Sequence, residues 1–162
     1  MYKRQALERA LALRPDDSRT LFWLAKLALH REVDSQKARE LLERALTANP
    51  RCAECLSLLI SVLCEEDHEL DRCGRLATDL VAVASDWPRA HEIAAEIAER
   101  AGQVEDARQE YLQALRLAEQ FQSKDLPWSY FEEVVTGRHP TVEAIGRVKA
   151  ALKRLPNSAR PE

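Results

Sequence analysis

The chain has 162 residues, 46% of them hydrophobic and 31% charged, which excludes a disordered polymer and fits a soluble, helix-rich protein. Its net charge of −3 gives no global electrostatic pull toward nucleic acid. The longest apolar stretch, Leu56 to Cys64, holds two serines and falls far short of the roughly 20 residues that span a bilayer. Met1 leads straight into a helical pattern without a signal-peptide core, so the expected location is cytoplasmic.

In chain order, the first predicted helix covers about residues 2–14 and carries Ala6, Leu7, Ala10, Leu11 and Leu13. Pro15-Asp16-Asp17-Ser18 ends it and caps a second, about 18–31, with Leu21, Leu24, Ala25 and Ala28 at helical spacing. Asp34-Ser35 opens a third, about 35–48, closed by Asn49-Pro50. A fourth, about 53–65, places Leu56, Leu59, Ile60 and Leu63 as the second placed its set. The acidic turn Glu65–His68 leads into a fifth, about 69–85. Pro88 stands in the first turn of a sixth, which stops at Ala101-Gly102, and a seventh covers about 104–122. Beyond a linker ending at Pro127, Trp128, Phe131, Val134 and Val135 suggest a short helix. A last amphipathic helix, about 141–155, carries Val142, Ile145, Val148, Leu152 and Leu155, and residues 156–162 read as a disordered tail.

A beat runs through the first seven elements. Lys3, Ala38, Cys73 and Ala107 stand 35, 35 and 34 residues apart. Leu7, Leu42, Ala77 and Tyr111 keep the same intervals, as do Ala10, Ala45, Leu80 and Ala114. A period near 34 built only of helix-forming sequence means stacked helix pairs. The second helices read Ala38–Leu42–Ala45–Pro50 and Ala107–Tyr111–Ala114, and Gly102 lies in a turn between paired helices. Small residues there let two helices approach closely, while large ones fill the gaps between pairs.

This pattern resembles the tetratricopeptide repeat family over roughly residues 1–119. The resemblance implies an all-α fold, a right-handed alpha-alpha superhelix with two extra C-terminal helices. Residues 1–122 would form half a repeat plus three repeats, and residues 123–155 the capping helices. Ile60 is bulky where the family has a small residue, and His91 and Ala94 replace larger ones, which predicts irregular packing. The partnerless first helix is apolar on more than one side, so either upstream repeats or a homodimer is expected to cover it.

The resemblance also implies a concave groove lined by first helices, and with it protein binding. Carried onto this sequence, its inner positions are Arg19, Phe22, Lys26, Leu29 and His30, then Glu54, Ser57, Ser61, Cys64 and Glu65, then Arg89, Glu92, Glu96, Glu99 and Arg100. One end would offer an aromatic and cations, with Phe22 and Trp23 as anchors. The other would offer a row of carboxylates, since Glu92, Glu96 and Glu99 share one helical face. That suits a peptide or partner helix with a basic or amphipathic segment. The lysine/asparagine clamp with which some family members hold acidic C-termini is missing: Ser57, Ser61, Glu92 and Glu96 occupy its places, and carboxylates there would repel a terminal carboxylate.

Other chemistry has thin support. Cys52, Cys55, Cys64 and Cys73 are weak candidates for a metal site or a redox pair against a reading as small buried fillers. The histidines 30, 68, 91 and 139 show no ligand spacing, and no nucleophile–base pair or phosphate loop appears, so neither cofactor nor catalysis is expected. The basic final helix, with Arg147, Lys149, Lys153 and Arg154, reads as solvated surface beside a core stripe. The expected function is a protein–protein interaction scaffold. Its alternatives are an RNA-binding helical repeat of the pentatricopeptide kind and a cysteine-based redox or metal-responsive module, and the chain could also be a non-catalytic domain of a larger enzyme.

Overall fold

A computed structural model describes residues 2–64, 69–123 and 140–156. Every regular element among them is helical. We number these elements α1 (Tyr2–Leu13), α2 (Ser18–Leu27), α3 (Ser35–Ala48), α4 (Ala53–Leu63), α5 (Leu70–Val83), α6 (Pro88–Arg100), α7 (Val104–Ser123) and α8 (Pro140–Arg154). The seven elements of the repeat are therefore present within two residues of their expected limits, apart from the end of α2. The short helix expected around Trp128 and Phe131 lies outside the described residues.

Local chemistry sets the boundaries. The Asp17 carboxylate accepts the Thr20 amide at 2.8 Å and starts α2, and Asp34 accepts the Lys37 amide at 3.0 Å and starts α3. Gly102 closes α6 at φ 75°, with Gln103 N–H reaching back to the Ala98 carbonyl at 2.9 Å, a six-to-one closure that favours glycine. The second helix differs from expectation at its end. Its α-helical ladder stops at Leu27 and widens into a π turn over Ala28–Glu32, closed by Val33 at φ 51°.

The helices group into two units, residues 1–83 and 84–162. In the first, each helix packs mainly on the next in sequence, α1 on α2 through to α4 on α5. Ala25, Ala38 and Ala45 have no exposed surface, nor do Leu21, Leu42 and Leu80, so small and large core positions alternate as the repeat requires. Ile60 is accommodated, 3% exposed. Along α1, Ala6, Ala10 and Leu13 lie exposed, Leu13 at 85%.

In the second unit, α7 packs on both α6 and α8. Ala95 and Ala98 of α6, Ala107, Tyr111 and Ala114 of α7, and Val148, Ala151 and Leu155 of α8 form one core. His91 is buried beside it. Its Nδ1 faces a Glu110 carboxylate oxygen at 2.7 Å and its Nε2 faces the Ser85 carbonyl at 2.9 Å. It joins α6 to α7 and to the preceding turn through these contacts.

Candidate functional site

In the first unit the expected inner positions fall on α2 and α4. Phe22 and Trp23 are half-buried and meet edge to face, their centroids 5.7 Å apart and their planes at 70°. The Lys26 ammonium stands over both rings, 5.7 Å from the centroid of Phe22 and 5.3 Å from that of Trp23. An ammonium so placed is attracted by the negative ring faces and fixes the cluster as a cationic, aromatic patch. Arg19 and His30 flank it, both exposed, with His30 carried on the π turn. On α4, Glu54 and Ser61 are exposed and Ser57 half-buried. The Ser61 hydroxyl donates to the Ser57 carbonyl at 3.0 Å. Glu65 lies outside the described residues.

The carboxylate row of the second unit is built differently from what its sequence spacing suggests. Glu92 is 3% exposed, so it does not stand on an open surface. Arg147 of α8 grips it with two bonds, Nε to Oε1 at 2.9 Å and Nη2 to Oε2 at 3.1 Å, and Arg89 adds a third at 2.8 Å. Glu96 is half-exposed and pairs with Arg89 at 3.0 Å. Glu99 takes two bonds from Arg154, at 3.0 and 2.8 Å, and one from the Tyr111 hydroxyl at 3.0 Å. Arg100 is exposed.

These contacts set the protonation states. Burial is the largest influence on Glu92 and pushes its carboxyl up, but Arg147 and Arg89 together outweigh it and hold the group below the usual glutamate value. The Arg154 guanidinium holds Glu99 below it as well. Burial, then the Glu99 carboxylate, push the Tyr111 hydroxyl well up, so it remains a hydrogen-bond donor. Glu92 and Glu99 are thus ionised and already countered by arginines.

The four cysteines require a correction. They form two pairs, Cys52–Cys55 and Cys64–Cys73, not one four-sulfur cage. Cys52 caps the start of α4 and Cys64 its end. At 1.5 Å per residue these positions are about 18 Å apart, too far to share a metal ion. Cys55 and Cys73 are buried without exposed surface, as expected, but each is half of a bridge rather than a lone small filler. No group of three or more metal-ligating side chains occurs among the described residues.

Two features were not anticipated. The first is the docking of α8 on α7, which brings Arg147 and Arg154 to Glu92 and Glu99 of α6. The sequence did carry a signal for it, since Arg147 and Arg154 are spaced by seven residues, as are Glu92 and Glu99. The second is a ring of charges joining the second helices α3 and α5. Arg39 bonds Glu69 at 2.6 Å and Glu43 at 3.2 Å, while Arg72 bonds Glu43 at 2.6 Å and Glu69 at 3.1 Å. Arg72 chiefly, with Arg39, holds Glu43 below the ordinary glutamate value. Its foretaste in the sequence is the four-residue spacing of Arg39 and Glu43 and the three-residue spacing of Glu69 and Arg72.

No protein-family model and no curated protein matches the chain. Solved structures do. PcrH in complex with the chaperone binding region of PopD superposes with a TM-score of 0.65 at 13% identity, over 85% of this chain and 89% of that one. A MamA crystal structure gives 0.61 at 18% identity, over 76% and 67%. The first TPR of Spaghetti (RPAP3), bound to HSP90 peptide SRMEEVD, gives 0.59 at 11% identity, over 85% and 94%.

Proposed function

We propose that this chain, a TPR-like helical-repeat stack by fold, is a protein-interaction scaffold that holds a peptide or helix of a partner on the faces of its first helices, chiefly α2 and α4 of the first unit. Two of the similar structures are complexes with a peptide or a partner segment, PcrH with a region of PopD and RPAP3 with an HSP90 peptide, and the same use of the fold is proposed here. The observation that carries the reading is the Phe22–Trp23–Lys26 cluster on α2. It joins two half-buried rings and a cation on one face, the composition from which most interface energy comes. Arg19 and His30 extend the patch and Ser57 and Ser61 supply hydrogen-bonding groups on α4. The patch favours a partner segment with an apolar or aromatic anchor. A basic segment would reach the α6 row of the second unit only by replacing the arginines that already counter it.

Peptide display panned on the full chain tests this. Selected peptides should bind Phe22→Ala at least about ten-fold more weakly, the loss expected of a buried aromatic anchor. Circular dichroism should show the variant's helix content unchanged. Equal affinity of the folded variant for every selected peptide would remove α2 from the binding surface.

A second reading has one observation behind it, the pairing of all four cysteines in the first unit. In this reading, reduction would loosen the ends of α4 and change binding at Ser57 and Ser61. Comparing peptide affinity with and without reductant separates it from a purely structural role for the two bridges.

A further inference from the structure

α6 and α8 match each other in charge at two points, two helical turns apart. The pairs Glu92–Arg147 and Glu99–Arg154 span the same 55 residues, so the two helices run parallel. α8 lies on α7 as well, through Val148, Ala151 and Leu155, through Lys149 to Glu119 at 3.2 Å, and through Arg108 to the Pro156 carbonyl at 2.6 Å. It therefore stands where the first helix of a following pair would stand, and it covers the acidic row that the scaffold reading offers to a basic partner.

We propose that α8 is an exchangeable resident of this seat, and that the seat accepts from a partner protein a basic amphipathic helix with two arginines seven residues apart beside a narrow stripe of small aliphatic residues. Two observations favour exchange over a fixed cap. The arginine side chains remain 53% and 66% exposed, so water and salt compete for the rim of both pairs. Among the described side chains of residues 140–156, just Val148, Ala151 and Leu155 are buried, with Leu152 partly so, a short anchor for a helix of 15 residues. While seated, α8 competes from within the same chain, so an incoming helix must match both glutamates to displace it.

The proposal rests on the scaffold reading for its purpose, but its test does not touch the α2 patch, so failure here leaves that reading standing. The probe is a fluorescein-labelled peptide, PTVEAIGRVKAALKRLP, the sequence of residues 140–156. It is titrated by anisotropy against the full chain and against a full-length Arg147→Glu, Arg154→Glu variant, whose own α8 is repelled by Glu92 and Glu99. The expected result is at least ten-fold tighter binding to the variant, and no binding of a peptide carrying the same two reversals. A variant with native helix content that binds the probe no more tightly than the unaltered chain overturns the proposal. Hydrogen exchange on the unaltered chain decides the matter if the variant loses its helices. Amides of α8 opening before those of α6 and α7 support exchange, and α8 protected as strongly as both refutes it.

Discussion

At the scale of single residues, Glu92 shows how burial and charge offset each other. A carboxylate almost sealed from water loses hydration, and two guanidiniums replace it, one from its own helix and one from α8. Glu92→Gln would leave Arg89 and Arg147 facing a neutral amide. Because Arg147 is half-exposed and can rehydrate, the expected loss is about 2 kcal/mol rather than the larger cost of a fully buried broken pair. Urea denaturation checks it. Glu92→Lys is unsuited as a binding test, since a third cation would be placed between two arginines. The pH dependence follows from the same contacts. Glu92 and Glu99 have folded values below their ordinary 4.5, so the unfolded chain takes up protons first as the pH falls. The stability they contribute is complete above that value and is lost as the pH drops through the lowered folded values. Urea midpoints should fall between pH 5 and pH 3 more steeply for the unaltered chain than for Glu92→Gln, Glu99→Gln.

At the scale of elements, close helix approach through alanine governs the stack. Ala10 and Ala45 occupy the same register, 35 residues apart, one on α1 and one on α3. Ala45 has no exposed surface, while Ala10 lies exposed because α1 has no preceding partner among the described residues. Adding the same side chain at both positions separates helix propensity from packing. Ala45→Leu must force α3 away from its neighbours and should cost about 1–3 kcal/mol. Ala10→Leu should stay within about 0.5 kcal/mol, since leucine is also a good helix former on an exposed face. Thermal melts of the two variants make the comparison. Equal losses would mean that α1 is packed on a surface that its exposure does not show.

At the scale of the whole molecule, the question is what the charge distribution attracts. Residues 137–162 hold six Lys/Arg against two acids, which in sequence reads as a basic tail. In the fold, Arg147, Lys149 and Arg154 are each paired with a glutamate of α6 or α7. Ion pairs of this kind spend the positive potential on the protein itself, and the net charge of −3 remains. A labelled single-stranded RNA should show no shift at physiological ionic strength, about 0.15 M. A salt-dependent shift would instead favour the RNA-binding alternative. No described helix is long and apolar enough to cross a membrane.

The amino-acid sequence alone determined the period, the helix limits and the alternation of small and large core positions. All of these are local: a cap such as Asp17 acts within three residues, and a helical stripe repeats every turn. It also located the aromatic and cationic residues of α2, because Phe22 and Lys26 lie one turn apart on a single element. What it did not determine was the fate of the carboxylate row and of the cysteines. Glu92 and Arg147 are 55 residues apart in the chain, and Cys52 and Cys64 stand at opposite ends of a helix. Whether an ionised side chain faces solvent or another helix depends on which elements meet, and periodicity records each helix's apolar stripe without naming the helix that covers it.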